Sequence, residues 1–386
     1  MKAVSRYLFP GFIICIMVVS CSRKGTEKKT TIIQPGISNT SDVADPDTFP
    51  RANITFILGK DENTRNPYYS LASQYYRLSK EKTEIVIDTM VSLLEVRDFL
   101  DAHRPENGQP WGLINLVSHG NEFIDLSVWV TPTGARVSEE SLQEAIADNV
   151  FKPLDSLVID KKTLFHLHGC GAGNNAGLLN FLGIAFGGKE KPARVTASRM
   201  FEYYAYTSPN KDPQSIQHYY ARVWYAFYRV DSVPDKASLA EQLKTRYPGE
   251  DVDWTEAVYR QDPLEPSEAY HMNLKIPIVW EDFYENKEEL PDLGTRAKQV
   301  KWLENKTEFR ALMKKTGIPK EYFRIKFYTL VYNRGNDTFY SSKVKGMAGV
   351  ICVIKPEVRE DKLHSAKYIP YVPSLNDDKF FGFSRN

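Results

Sequence analysis

Two residues that could act together as nucleophile and base follow apolar runs of the chain. His119 comes shortly after the run 113–117, and Cys170 comes 51 residues later, after the run 164–167. A thiolate attacks a carbonyl carbon, while a histidine takes the thiol proton and returns it to the leaving amine. The main-chain N–H groups of Gly120 and Cys170 are candidate donors for the resulting oxyanion. The pattern therefore favours a cysteine hydrolase.

The residues around Cys170 predict a sharp turn between a strand and a helix. The helix is expected to begin near residue 177, so the partial positive charge of its N-terminus would lower the pKa of the thiol. Three glycines, Gly169, Gly171 and Gly173, would permit the turn because they lack a Cβ atom.

The same segment allows a metal site. His166, His168 and Cys170 alternate along one strand, and a period of two places their side chains on one face. With His119 from a neighbouring strand they would form a three-histidine, one-cysteine set that suits tetrahedral zinc. A purely structural interpretation also stays open, in which Cys170 is a core residue and the histidines bond to main chain or water.

These residues need strands and helices to position them, and the hydropathy pattern predicts an alternation of the two. Such alternation is typical of an α/β fold with a mostly parallel sheet covered by helices on both faces. Active groups gather at the carboxyl ends of the strands in sheets of this kind. The predicted strands are 54–58, 84–87, 113–117, 164–167 and 194–197, and the predicted helices are 68–78, 91–102, 139–147 and 177–186.

Two motifs resemble the caspase-like cysteine peptidases, which include caspases, legumains, clostripain-like peptidases and gingipains. They are the segments 116–120 (LVSHG) and 165–171 (FHLHGCG), and the resemblance covers roughly residues 52–250. It implies a caspase-like three-layer sandwich and hydrolysis of peptide bonds through a Cys170 thioester, with His119 as general acid/base. It also implies a peptide or protein substrate and no metal or organic cofactor.

The resemblance extends to two later segments. Residues 195–198 resemble the strand that flanks the specificity pocket in legumain-like members, and the aromatic stretch 219–228 is expected to be the last strand of the sheet.

Where the family commonly has glutamine or an acid, two residues before the cysteine, this chain has His168. An imidazole there argues against a basic substrate side chain. We therefore expect His168, Ser198 and Arg199 to line a pocket for an acidic or polar side chain.

The missing acidic pocket residue also leaves a non-enzymatic alternative. The caspase-like clan includes members that act as scaffolds or binding modules, so the chain is alternatively a catalytically inactive binding module at the cell surface. The polar loop 207–213 is a candidate site of self-cleavage or an ordinary surface loop.

The N-terminus is typical of a bacterial lipoprotein. Residues 1–20 combine two basic residues with a short apolar stretch, as in a secretory signal peptide, and small residues precede Cys21 as in a lipobox. Lipidation of Cys21 would anchor the chain to a membrane through its acyl chains. Because Ser22 is not aspartate, the outer membrane is the expected location within the envelope. Residues 21–50 are polar and predict a lipidated, flexible tether.

Beyond the tether, the sequence predicts two units. Residues 51–255 form the peptidase domain, and residues 256–386 form an α+β extension, mostly β, with strands expected at 276–280, 324–332 and 349–354. Without residues 1–20 the chain has 48 Lys+Arg against 49 Asp+Glu, which argues against a nucleic-acid partner. Only Cys170 and Cys352 would remain in the folded part, where a bridge between them stays possible.

Overall fold

A computed structural model describes residues 51–61, 67–79, 85–121, 123, 125–262, 265–334, 337–363 and 367–385. The predicted signal peptide, Cys21 and the tether lie outside these residues. Within the described ranges, none of the helices combines the length and the hydropathy needed to cross a membrane.

The described residues form strands β1–β15 and α-helices α1–α8, numbered in chain order. The strands are Ile54–Ile57, Ile85–Ile87, Leu113–Val117, Gly120–Asn121, Asp125–Leu126, Leu164–His168, Arg194–Ser198, Phe201–Tyr206, Ile216–Arg229, Tyr270–Tyr284, Arg324–Arg334, Asp337–Pro356, Val358–Glu360, Tyr368–Pro370 and Phe381–Phe383. The helices are Tyr68–Leu78, Leu93–Ala102, Glu139–Ala147, Ala176–Gly187, Lys236–Arg246, Trp254–Tyr259, Arg296–Glu304 and Thr307–Thr316.

The first sheet has six strands in the order β15-β7-β6-β3-β1-β2. Five of these strands, β2, β1, β3, β6 and β7, run parallel. Strand β15 pairs antiparallel with β7. Short runs of β-branched and aromatic residues form these strands because their side chains pack well on a pleated, buried surface. The predicted α/β class with a mostly parallel sheet is therefore confirmed.

Helices cover both faces of this sheet. Apolar residues of α2, α3 and α4 pack with the strand residues Phe56, Leu116 and Phe165 on one face. On the other face, tyrosines of α1 pack with Ile57 and Val117 and with residues of β8 and β9. The second face is unusually polar near its centre, which bears on the site described below.

The second sheet is antiparallel, with the order β10-β12-β9-β8 and β11 paired to β12. Strand β9 precedes the predicted boundary at residue 255, whereas β10 and β12 follow it. Hydrogen bonds of one sheet therefore join the two sides of that boundary. The predicted β content of the C-terminal part is present, together with α7 and α8.

The aromatic stretch 219–228 lies in β9, at the centre of this second sheet, and not at the edge of the first. Its residues alternate between two apolar clusters: Trp224, Ala226 and Tyr228 pack on one face, and Tyr225 and Phe227 on the other. Burial on both faces explains the continuous aromatic run. The edge position in the first sheet belongs to β15, which returns from the far end of the chain.

Neither cysteine of the described part is in a disulfide. Cys352 lies in β12 and is fully buried, paired in register with Met272 of β10 and Tyr225 of β9. The possible bridge between Cys170 and Cys352 is not formed.

Candidate active site

The two predicted catalytic residues follow adjacent parallel strands. Val117, the last residue of β3, is in register with His168, the last residue of β6. The N–H of Ser118 donates to the carbonyl of His168 at 3.0 Å, so the pairing continues one residue beyond the strands. His119 and Cys170 therefore leave the sheet at the same carboxyl edge, where active groups of α/β folds gather.

His119 is half-buried and is held by two tyrosines of α1. Its ring stacks on Tyr68 at a centroid distance of 4.5 Å and meets the ring of Tyr69 edge-on at 4.6 Å. The main-chain N–H of His119 donates to the Tyr69 hydroxyl at 2.9 Å, and its carbonyl accepts bonds from the main chain and the hydroxyl of Ser127, both 2.8 Å long. Ring contacts and main-chain hydrogen bonds together thus fix the position of the imidazole.

Gly120, the predicted oxyanion donor next to His119, begins a short ribbon. It pairs with Leu126 as β4 turns back into β5. The ribbon leads away from the sheet edge and carries Phe123, whose ring contacts Tyr225 of the second sheet at a centroid distance of 5.0 Å.

Cys170 is half-buried and is turned toward β8. Its Sγ donates to the carbonyl of Glu202, and the Glu202 N–H donates back to the sulfur, with both distances 3.4 Å. Burial raises the pKa of the Cys170 thiol to about 12. This is opposite to the shift expected from the following helix, because burial penalises the charged thiolate.

The turn after Cys170 needs two of the three glycines that the sequence pointed to. Gly171 has φ +69°, a left-handed conformation that side chains rarely adopt. A Cβ atom on Gly173 would lie 2.2 Å from the carbonyl oxygen of Ala197, so the turn packs directly against the backbone of β7. Helix α4 then begins at Ala176, one residue from the predicted start.

The histidine two positions before Cys170 belongs to a buried network. His168 Nδ1 lies 2.7 Å from Glu202 Oε2, and His218 Nε2 lies 3.0 Å from the same oxygen. Nε2 of His168 lies 2.9 Å from the Tyr76 hydroxyl and 3.1 Å from Asn115 Oδ1. All of these groups lie between the first sheet and the β8–β9 pair.

Burial and neighbouring charges together set the protonation states of this network. Burial alone would raise the pKa of Glu202, but the two imidazoles outweigh it and hold that pKa well below its usual range. Burial and the adjacent His168 ring lower the pKa of His166 well below its usual range. The network therefore contains an ionised carboxylate beside a neutral imidazole.

Sequence reasoning missed Glu202, although a signal was present. It is the one acid in the aromatic strand Phe201–Tyr206, where it shares a face with Tyr204. An acid within a strand that is otherwise apolar or aromatic is seldom buried unless it is paired. His218, in β9, pairs with it.

The three residues expected to line a specificity pocket occupy different environments. His168 is 2 % exposed and belongs to the buried network, and Ser198 is fully buried and bonds to the main chain of Met200. Arg199 is exposed, and its Nε donates to the carbonyls of Asp378 and Phe381 near β15.

A cavity of about 480 Å³ lies beside both strand ends. It is bordered by Asn121, two residues after His119, and by Gly171, which directly follows Cys170. The second sheet and α8 form its opposite wall. Further lining residues are Phe123, Leu126, Ala172, Asn174, Asn175, Ala176, Leu178, Tyr225, Phe227, Arg246, Lys315, Thr316 and Gly317. The lining contains none of His119, His168, Cys170, Ser198 and Arg199, and part of it comes from the C-terminal region.

Comparison of the chain with protein-family models finds no match. Comparisons with curated proteins and with solved structures also find none.

Proposed function

We propose that this protein is an envelope-anchored cysteine endopeptidase with a caspase-like catalytic domain. The observation that carries the proposal is the cavity of about 480 Å³, which is bordered by the chain directly after Cys170 and two residues after His119. Neither catalytic side chain lines the cavity itself, so a peptide bound there would have to extend to the thiol and the imidazole, which leave adjacent strands at one sheet edge.

The strand order supports the caspase-like part of the proposal. Five parallel strands with β1 between β2 and β3, and with helices on both faces, correspond to the expected three-layer sandwich. The candidate nucleophile and base follow neighbouring strands. The antiparallel second sheet lies outside this pattern and adds one wall of the cavity.

In the proposed reaction, the Cys170 sulfur forms a bond to the peptide carbonyl carbon while its proton moves to His119. The N–H groups of Gly120 and Cys170 donate to the oxyanion of the tetrahedral intermediate. The C–N bond then breaks, the leaving amine takes the proton from His119, and a thioester remains on Cys170. Water, deprotonated by His119, hydrolyses the thioester and restores the thiol. This chemistry needs no metal or organic cofactor.

The resting thiol must be released before it can attack. Its pKa of about 12 keeps it neutral near pH 7, and its sulfur exchanges two hydrogen bonds with the main chain of Glu202. Substrate in the cavity would have to draw the sulfur away from β8 toward His119. Catalytic hydrogen bonds often tighten only in the substrate complex, so this resting geometry is compatible with catalysis.

An inactive binding module at the cell surface is the second candidate. The observation that favours it is the raised pKa of Cys170, because structural buried thiols are unreactive. On this alternative the cavity binds a peptide or protein segment without cutting it.

The anchoring part of the proposal depends on Cys21 and the signal-like residues 1–20. Metabolic labelling with a palmitate analogue tests it directly. The wild-type chain is expected to incorporate label, and a Cys21→Ser chain is not. Label in both chains would contradict lipidation at Cys21.

The catalytic proposal is tested by incubating the detergent-solubilised full chain with a mixed-sequence peptide library and reading the products by mass spectrometry. Cleavage is expected in the wild type and lost in Cys170→Ala and His119→Ala. Cys352→Ala is the matched control, since it removes the other thiol of the described part and should still cut. If the folded wild type cuts nothing but retains peptides on a pull-down, the binding-module candidate replaces the peptidase.

A further inference from the structure

Three buried side chains converge between the first sheet and the second. His166 and His168 share one face of β6, and their rings lie 4.0 Å apart between centroids. Glu202 reaches them from β8. The three residues are only 2–3 % exposed, and one ligand-type atom from each lies within 4.8 Å of the others.

Two atoms of this cluster have unused hydrogen-bonding capacity. In the described part of the chain, neither His166 Nε2 nor Glu202 Oε1 has a hydrogen-bond partner. Leaving a buried polar atom unpaired is unfavourable, and more so when the group is charged. A cation held by these side chains would satisfy both atoms and would neutralise the buried carboxylate.

The groups behind the cluster are arranged as they are around bound metals. A histidine that binds a metal usually donates its second ring N–H to an oxygen acceptor. His168 directs Nδ1 toward Glu202 and Nε2 toward Asn115 Oδ1, and Asn115 is held in turn by a bond from its Nδ2 to Thr55 at 3.0 Å. Glu202 Oε2 is held from behind by His218.

We propose that His166, His168 and Glu202 bind a first-row transition-metal dication, with Zn²⁺ as the favoured ion. Two imidazoles and one carboxylate suit Zn²⁺ well, whereas Ca²⁺ and Mg²⁺ prefer sites built of oxygen ligands. Binding replaces the proton shared by His168 Nδ1 and Glu202 Oε2, and that proton is released to solvent.

This ligand set differs from the zinc site that the sequence suggested. Cys170 lies beyond the end of β6, and its sulfur faces the main chain of Glu202. Glu202, from a different sheet, takes the place expected for the cysteine. The metal would link β6 to β8. It would also fix Glu202, whose main chain bonds to the Cys170 sulfur, so the role of the metal is structural.

The test loads the purified full chain with Zn²⁺ or Co²⁺, removes excess ion by dialysis and measures bound metal by mass spectrometry. One equivalent is expected in the wild type and in Cys170→Ala, with a rise in melting temperature that a chelator reverses. His166→Gln and Glu202→Gln should lower the affinity at least tenfold. His271→Gln is the matched control because His271 is also buried, 4 % exposed, but bonds only to main-chain carbonyls among its described contacts.

The cobalt spectrum keeps the test decisive if a ligand variant fails to fold. Nitrogen and oxygen ligands give visible d–d bands without a thiolate-to-cobalt charge-transfer band in the near ultraviolet. Such a charge-transfer band that disappears in Cys170→Ala would overturn the proposed ligand set. The absence of stoichiometric metal in the wild type would overturn the site itself, and a buried water would then be the partner of the two atoms. If Cys170→Ala still binds the metal, the metal site is also shown to be independent of the peptidase proposal.

Discussion

The Cys170 sulfur and the main chain of Glu202 contact each other twice, through the N–H and the carbonyl of one residue, both at 3.4 Å. The side chain of the same glutamate is held by His168 and His218 at 2.7 and 3.0 Å. The candidate nucleophile and the buried histidine network therefore share one residue. Any displacement of β8 relative to β6 would move the thiol.

The first prediction concerns the reactivity of the resting thiol. With a pKa of about 12, Cys170 remains neutral at pH 7 and ionises only as the pH rises toward 12. The thiolate fraction at pH 7 is on the order of 10⁻⁵, so iodoacetamide should label Cys170 more than 100-fold more slowly than in the unfolded chain. Peptide mapping after timed labelling at pH 7, 8 and 9 measures this. A rate at pH 7 equal to that of the unfolded chain would contradict the buried resting state.

The second prediction concerns Tyr68, which we regard as a positioning residue for His119. Its ring stacks on the imidazole, while its hydroxyl makes only a long, 3.4 Å contact with the carbonyl of His168. Tyr68→Phe keeps the stacking and should retain activity within about threefold, whereas Tyr68→Leu should lose 10- to 100-fold in kcat.

The pH–rate profile distinguishes positioning from general destabilisation. Tyr68→Leu should move the acidic limb of the profile, because the variant acts through the environment of His119, and Tyr68→Phe should leave it in place. Equal losses in both variants with an unchanged profile would argue against the positioning role.

The third prediction concerns the substrate. Two cationic side chains, Arg246 and Lys315, line the cavity, and Lys315 is also paired with Glu140. We therefore expect preference for peptides with an acidic residue near the cut. Arg246→Gln should lower kcat/KM about tenfold for such peptides and little for neutral ones.

Arg199→Gln is the comparison variant for this prediction. The sequence suggested Arg199 for the pocket, but its guanidinium bonds to carbonyls near β15. Substitution there should leave the acidic-to-neutral preference unchanged. A loss of preference in Arg199→Gln with none in Arg246→Gln would place the specificity pocket elsewhere than in the cavity.

The fourth prediction concerns stability and pH. Arg51 donates two parallel bonds, of 2.6 and 2.8 Å, to the carboxylate of Asp160, and these hold the pKa of Asp160 well below its usual range. Because the folded pKa is the lower one, the stabilisation is present above the unfolded value of about 4 and is lost as the pH falls below it.

Asp160→Asn should therefore lower the free energy of unfolding by about 1–2 kcal/mol at pH 7, and the difference from wild type should shrink between pH 4 and pH 2. Urea unfolding at several pH values measures it. Glu190→Gln, at an exposed acid, should change stability by less than about 0.5 kcal/mol. A deficit in Asp160→Asn that is constant with pH would show that the ion pair is not its cause.

The local elements, and the sheet edge at which His119 and Cys170 lie, are predictable from the sequence. Apolar runs bounded by turn residues predicted β1, β3, β6 and β7 to within one residue at each end, because hydropathy period and turn chemistry act over short distances. The alternation of strand and helix implied parallel pairing, and parallel strands place their carboxyl ends at one edge. The glycine turn after Cys170 was likewise a local property.

Tertiary structure alone decided what surrounds those two residues. The pairing of β12 with β9, the return of β15 to the first sheet and the approach of Glu202 to His168 join segments that are distant in the chain. No local pattern encodes such pairings, because each depends on which buried surfaces and hydrogen-bonding edges fit together after collapse. The pKa of Cys170 was misjudged for the same reason: local sequence indicated a nearby helix N-terminus, whereas burial against β8 determines the charge of the thiol.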